Sequence, residues 1–469
     1  MISQFVSTHC LYTGQKNKTL VAGLIAGFVT VSILLPAGSK SQPLYFPPLT
    51  GTTWETISPD SLGWNTDRVD TLLDFLEANH TKAFIVLKDG RIALEQYFGT
   101  FTSDSIWYWA SAGKTLTAFL IGIAQQEDLL SINDSTSNYL GSGWTSCPAE
   151  KEDLITIQNQ LTMTSGLRDL VSDPYCTSPE CLIYQTDAGT RWAYHNAPYT
   201  LLDQVIEIVS GQTLNQYFLS KIRSKIGMNG LWIQSGYNNV YVSNARSMAR
   251  FGLLALNRGI WNTDTLLTDI SYFHDMTNTS QNLNPSYGYL WWLNGKASYM
   301  VPVLQTVFPG SWAANAPGDM FAALGKNGQF INIVPSQRLV MVRMGLAPDS
   351  SYEVPMEFNN DIWRKLNGVI TNQTTLKENN LPPQFELRQN YPNPFNPATI
   401  IQYQLPTNSF VTLKIFDVLG REVRTLVNGR QNSGNYTLHF KAGDLPAGVY
   451  FYRLQSGSRH ETKKLIIIK

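Results

Sequence analysis

The sequence predicts an α+β fold, an antiparallel sheet flanked by helices with a helical subdomain, followed by a small all-β sandwich. Three observations carry that prediction. Strand-like segments at 83–87 and 92–98, and again at 330–334 and 339–344, bracket a helical middle, the order expected when helices pack on an antiparallel sheet. Within that middle, apolar residues recur at helical spacing or run unbroken. Past residue 370 helix signals give way to short alternating strands and frequent turn residues, the pattern of a sandwich. A chain of 469 residues has room for two or three domains of ~100–200 residues each. The expected boundaries are a leader at 1–42, a main domain at 43–370, a linker at 371–384 and the sandwich at 385–469.

Taken in order, Lys16 and Lys18 precede an uncharged apolar run over 20–35, then Pro36, Ala37, Gly38, Ser39 and Ser41. Positive flank, apolar stretch and small-residue exit are the parts of a cleaved secretory signal; the alternative is a retained anchor, since the run approaches the ~18-residue spanning length. No other segment is apolar enough to span a bilayer. Val69, Leu72, Leu73 and Leu76 mark an amphipathic helix. Lys88-Asp89-Gly90-Arg91 turns the first hairpin. The almost wholly apolar 116–124 reads as a helix buried on all sides, and 201–209 as a helix ended by Ser210-Gly211. The polar stretch 371–383 reads as linker. Beyond it, 399–403, 411–416 and 449–454 are strands, with turns at Leu419-Gly420-Arg421 and Pro446-Ala447-Gly448.

Composition removes whole classes of function. Acidic and basic residues balance at 35 each, so no basic face for nucleic acid is expected. At 43% hydrophobic and 12% aromatic, the chain can bury a core and is not disordered. Three cysteines remain after the leader: Cys176 and Cys181 bracket a short loop and could close a disulfide in an oxidising compartment, with Cys147 an alternative partner for either. Three cysteines without a nearby histidine make a poor zinc site. Gly-x-Ser-x-Gly and His-Glu-x-x-His are both missing, and neither metal nor cofactor is expected.

One serine in the chain is followed three places on by lysine, in Ser111-Ala112-Gly113-Lys114. That spacing is close to one helical turn and puts hydroxyl and amine on one face. A serine needs a neighbour to take its proton before it attacks, and a lysine does so when burial lowers its pKa, which the buried 116–124 helix supplies. Ser-x-x-Lys also arises by chance, so its company matters. Tyr194-His195-Asn196 runs into a helix: a phenol between two ammonium groups can relay a proton, and an Asn amide can grip a carbonyl. Tyr237-Asn238-Asn239, in a Gly/Asn-rich loop with no adjoining helix, is the weaker copy, and Tyr391-Pro392-Asn393 falls in the tail. Lys-x-Gly occurs at Lys88, Lys225, Lys326 and Lys441, but Lys326 alone follows the Tyr-x-Asn and opens an apolar strand. His195 alternates away from its neighbours and reads as a surface or loop residue rather than a base. Trp107, Trp109, Trp192, Trp291 and Trp292 are candidates for an apolar acyl pocket or for core.

Ser111-x-x-Lys114, Tyr194-x-Asn196 and Lys326-x-Gly328, in that order, resemble the three motifs of serine β-lactamase and penicillin-binding-protein-type hydrolases. The resemblance is to the branch of class C β-lactamases, esterases and aminohexanoate-oligomer hydrolases, where Tyr opens the second motif. Leu161-Thr-Met-Thr-Ser-Gly-Leu167, Lys225-Ile-Gly-Met228 and Tyr287-Gly-Tyr-Leu-Trp-Trp292 are similar to family segments, and the likeness covers roughly 50–365. It implies a β-lactamase/transpeptidase-like fold with Ser111 as nucleophile and Lys114, Tyr194 and Lys326 in the proton relay. It further implies Asn196, Asn327 and Gly328 at the substrate and an oxyanion hole of the Ser111 and Gln329 backbone N–H groups. Asn327 stands where the family has Thr, a residue that helps bind a substrate carboxylate. The expected activity is therefore acyl-enzyme hydrolysis of a small ester, amide or peptide, with β-lactamase or D-amino-acid peptidase activity the alternative. A ligand-binding surface protein without turnover is the alternative from another class.

Leu387-Arg-Gln-Asn-Tyr-Pro-Asn-Pro-Phe-Asn-Pro-Ala-Thr399, Phe416-Asp-Val-Leu-Gly420 and Ala447-Gly-Val-Tyr450 resemble a type IX secretion sorting domain. The resemblance implies the type IX machinery as partner and delivery through the periplasm to the surface or medium; with the leader cleaved, no stable transmembrane segment is expected. A permanent carbohydrate-binding or adhesion module is the alternative. The tail's His439 and His460 lie on alternating patterns and are expected to face solvent.

Overall fold

The computed structural model describes residues 43–348, 354–371, 385–457 and 459–468. The expected leader over 1–42, and residues 372–384 of the expected linker, lie outside the described residues. Val69–Ala78 forms α1, burying Leu72 and Leu76 one turn apart. Thr81–Lys88 (β1) and Arg91–Tyr97 (β2) make the first hairpin across Asp89 and Gly90, both at positive φ. Trp107–Tyr108 (β3) leads through the turn carrying Ser111 into Lys114–Gln126 (α2), where every residue from Lys114 to Ala124 is buried. After several short helices comes Asn196–Ser210 (α3), ended by Gly211 at φ 66. Leu231–Ser235 (β4) and Asn238–Ser243 (β5) pair as a second hairpin, with β3 added on the far side of β5. Ala245–Leu256 (α4) starts at Asn244, whose side chain accepts the Ser247 N–H. Trp292–Leu293 (β6), Phe321–Gly325 (β7), Gln329–Val334 (β8), Leu339–Gly345 (β9) and Met356–Ile370 (α5) complete the region.

The described residues place six of these strands in one antiparallel sheet ordered β2-β1-β9-β8-β7-β6. Adjacent residues of β8 show why it is buried along its whole length rather than on alternate residues. Successive side chains point to opposite faces. Ile331 meets α4 at Gly252, where an added Cβ would lie 2.9 Å from Ile331 Cγ2 and 2.5 Å from Val340 Cγ1. Phe330, one residue back, meets Phe358 of α5 with ring centroids 6.3 Å apart. Helices therefore cover both faces, and Gly252 is what lets α4 come this close. Tyr272 and Phe251 pack on α2, through a Tyr272 hydroxyl bond to Ala118 O and a Phe119–Phe251 ring contact. The Ser111–Lys114 segment thus lies between sheet and helical subdomain.

The C-terminal region is a two-layer sandwich. Ala398–Leu405 pairs Gly434–Lys441 in one sheet, and Glu422–Gln431, Ser409–Phe416, Gly448–Ser456 and Arg459–Ile467 follow one another in the other. Its buried residues, Leu413, Tyr452 and Leu465 among them, form a cluster distinct from the main core. Contacts nonetheless group Leu44–Lys469 as one unit, and the Phe308 and Tyr391 rings meet 5.6 Å apart. Cys176 and Cys181 are joined, leaving Cys147 as a half-buried thiol. Among the described residues no helix is long and apolar enough to cross a membrane.

Candidate active site

The turn Ala110–Gly113 that carries Ser111 is set by its neighbours. Trp109 N–H bonds Tyr241 O at 2.8 Å and its indole N–H bonds Ser243 Oγ at 2.7 Å, fixing the approach from β3. Ala110 then takes φ 49, a left-handed conformation that costs a non-glycine residue about 1–2 kcal/mol and turns the chain into α2. The spacing read from sequence is realised: Lys114 Nζ donates to Ser111 Oγ at 2.9 Å. Ser111 is half-buried, and Lys114 is 1% exposed.

Aromatic faces surround that amine. Lys114 Nζ lies 5.2 Å from the Tyr194 ring centroid and 4.0 Å from that of Tyr199, the arrangement that stabilises a desolvated cation. Tyr194 is stacked on Trp292 at 5.9 Å and meets Tyr287 edge-on. Burial holds the Tyr199 and Tyr287 phenols neutral well above the ordinary tyrosine range. Asn196 opens α3, and among the described residues its buried Oδ1 has no hydrogen-bond partner, which leaves an acceptor near Tyr194.

The third motif reaches the site through its backbone. Lys326–Gly328 is a tight turn between β7 and β8, with Asn327 at φ 62. A Cβ on Gly325 would lie 2.4 Å from Trp109 O and 3.0 Å from Ala112 N, so only glycine brings this strand end against the Ser111 turn. Arg343, fully buried, donates to Asn327 O, Gly328 O, Asn79 O, Leu346 O and Thr81 Oγ1 and braces the turn from behind. Burial pulls its pKa down to about 9, still a cation at neutral pH. Gln329 is held by Gly345 through both ends of its amide. Lys326 is exposed, and the Asn327 amide donates to Tyr108 Oη at 2.7 Å.

Two readings of the sequence need correction. His195 lies in the segment before α3, as expected, but it is not at the surface: it is 3% exposed, and among the described residues neither ring nitrogen has a hydrogen-bond partner. Burial lowers its pKa to about 4, with Asp169 opposing and Arg191 assisting. The Arg191–Asp169 ion pair at 2.6 Å and the loop that brings Pro174 O to Ala197 N cover this stretch, and alternation along a few residues cannot register a covering segment. Tyr237-Asn238-Asn239, expected in a loop, runs instead from a hairpin turn into a strand. Its asparagines open β5 and bind α3, where Asn238 Oδ1 accepts from the Tyr199 hydroxyl and Asn239 Nδ2 donates to Asp203. Trp109, Trp192, Trp291 and Trp292 are all core.

Sequence reasoning passed over Tyr199 and Asp203. A lone acidic residue among Leu201, Leu202, Val205 and Ile206 was the available signal, since acidic residues are almost never fully buried unless paired. Among the described residues no cluster of three or more His, Cys, Asp or Glu could hold a metal ion.

Comparison with known proteins agrees with this architecture. Residues 74–345 match the Beta-lactamase family, and residues 389–468 match the Secretion system C-terminal sorting domain. An uncharacterised protein of Alkalihalophilus pseudofirmus is 24% identical over 325 residues, 61% of this chain and 88% of its own length. The fold is shared with a candidate 6-aminohexanoate-dimer hydrolase from Bacillus anthracis, at TM-score 0.52 and 19% identity over 70% of this chain and 91% of that one. It is shared also with a candidate beta-lactamase from Bacteroides dorei, at TM-score 0.52 and 16% identity over 66% and 99%. The C-terminal domain is of the type IX secretion kind and marks the chain as secreted or carried at the cell surface.

Proposed function

This chain belongs to the beta-lactamase family, and on that footing we propose that it is an exported serine hydrolase acting on ester or amide substrates through an acyl-enzyme. The carrying observation is the 2.9 Å bond between Lys114 Nζ and Ser111 Oγ, made by an amine withdrawn from water. With the amine in its neutral form, Ser111 Oγ attacks the substrate carbonyl as its proton passes to Lys114. Tyr194, whose ring flanks the same amine, shares that proton and returns it to the leaving group. The Ser111 and Gln329 backbone N–H groups stabilise the oxyanion, with Lys326 assisting from the third motif. Water then releases the acyl group by the same steps in reverse. Asn196 orients the carbonyl, with Asn327 and Gly328 lining the same edge.

The Asn327 amide is engaged with Tyr108, which favours neutral esters and linear amides over substrates bearing a carboxylate. We place the hydrolase at 43–370, the linker at 371–384 and a detachable sorting domain at 385–469. The test is a side-by-side panel of p-nitrophenyl esters, linear amide oligomers and nitrocefin. Ester or amide turnover that disappears in Ser111→Ala is expected. Turnover of nitrocefin alone would move the assignment to β-lactamase, and binding without any product to a non-catalytic protein.

A further inference from the structure

Behind Ser111, α2 and α3 are joined by two buried rungs. On the first, Lys114 Nζ sits 4.0 Å from the Tyr199 ring. On the second, one turn further along each helix, Thr117 Oγ1 donates to Asp203 Oδ1 at 3.0 Å. The other Asp203 oxygen accepts from Asn239 Nδ2 at 3.1 Å. The carboxyl is 2% exposed on the buried face of α3, and it exchanges an electrostatic interaction with Lys114. Charges out of water act on each other far more strongly than at the surface. Asp203 bonds Thr117 and Asn239 rather than Ser111, so its influence on the serine runs through the lysine.

We propose that Asp203 is a positioning residue that sets the proton affinity of Lys114, raising it when ionised and releasing the amine to accept the Ser111 proton when neutral. This rests on Ser111 and Lys114 being nucleophile and base. The surroundings suit a carboxyl that changes state near neutrality. Burial pushes it up to about 7, with Glu207 in the same sense and Asn239, Thr117 and Lys114 opposing. The other elements packed on α3 are accounted for. Tyr199 and Glu207 share α3 itself, with Glu207 accepting the Leu214 N–H. Ser137–Leu140 brings Tyr139, bonded to Asp134, and Leu214–Phe218 brings Tyr217, bonded to Glu127. Ile157–Leu161 has no ionisable side chain, and β5 contributes the neutral Asn238 and Asn239.

The test follows the rate of fluorophosphonate labelling of Ser111 against pH in the full chain, with thermal unfolding as the check on folding. Asp203→Asn removes the charge while keeping the shape. Its acid limb is expected at least about one pH unit below that of wild type, so labelling below the wild-type limb rises up to about tenfold while the high-pH plateau stays nearly level. Thr117→Val, which deprives the carboxylate of one donor, moves the limb the same way by less. A purely structural role would lower stability and leave the limb in place. A folded Asp203→Asn with an unmoved limb overturns the proposal; should that variant not fold, an unmoved limb in Thr117→Val does so. A folded wild type that takes no label overturns the Ser111 reading itself, and this one with it.

Discussion

In the hydrolase region β8 and β9 are buried along their entire lengths, whereas in the C-terminal sandwich Ala398–Leu405 and Gly448–Ser456 alternate between buried and open positions. The first sheet is covered on both faces by helices; the second is a layer of a sandwich, wet on its outer side. The difference decides where polar chemistry can be stored. The hydrolase region buries Lys114, His195, Asp203, Gln329 and Arg343, while the described tail buries only Asn390 and Thr399 among polar side chains. The tail's charges sit in exposed pairs such as Arg421–Asp417 and Lys414–Glu422, where solvent screens them and they contribute little. A charge worth tuning needs a layer of structure on each side of it, and only one half of this chain provides that.

Removing the amine should separate the two regions most sharply. Lys114→Ala is expected to slow hydrolysis of the best ester in the panel by about 10²–10⁴, while His439→Ala and His460→Ala in the tail leave initial rates unchanged. Retention of more than about a tenth of the rate by Lys114→Ala would remove it from the relay. A comparable contrast should appear in stability. Arg343→Leu leaves the carbonyls of Asn79, Asn327, Gly328 and Leu346 without their donor, a loss of about 3 kcal/mol or more, read from urea unfolding. Arg421→Leu, on an exposed tail pair, should leave the midpoint where it is; equal shifts for the two would contradict the comparison.

Two buried groups predict opposite pH slopes. His195 stays neutral down to about 4 in the folded chain, against about 6.5 unfolded. The unfolded state therefore binds more protons between these values, and stability is lost as pH falls through that window, by about 3 kcal/mol. Asp203 keeps its proton up to about 7, against about 3.9 unfolded. There the folded state binds more protons, so stability is lost as pH rises through an overlapping window, by about 4 kcal/mol. The wild type should consequently be nearly level between about pH 4 and 7, His195→Gln should weaken as pH rises, and Asp203→Asn should strengthen. Denaturation midpoints at several pH values check this, and parallel curves for all three chains would refute it.

Much of the site could be read without coordinates because it is local. Ser111 and Lys114 lie one turn apart, and the almost wholly apolar run after them marks a buried helix. The strands at 330–334 and 339–344 and the alternation of the tail were equally plain. What stayed hidden depends on segments meeting from afar. Thr117 finds Asp203 at 86 residues' distance and Asn239 finds it at 36; neither pairing leaves a periodic trace. His195 is buried by a loop that precedes it by some twenty residues, and β7, a five-residue strand with two alanines, carries too little pattern to announce itself. The sequence leaves the tryptophans open between pocket and core because large aromatic residues mark cores and clefts alike.

The smallest effect expected comes from cutting the regions apart. A chain ending at Thr371 should keep its turnover within about twofold, since each part has its own apolar cluster. In a host with the matching exporter it should stay in the periplasm. A folded, inactive truncation would instead make the Phe308–Tyr391 contact part of the enzyme.

The central claim, that Ser111 is the acylated nucleophile, is tested most directly by treating the folded chain with a fluorophosphonate and mapping the adduct by peptide mass spectrometry. One adduct, on Ser111 and accompanied by loss of ester turnover, is the predicted result. An adduct on another residue, or continued turnover by a chain fully modified at Ser111, would contradict it.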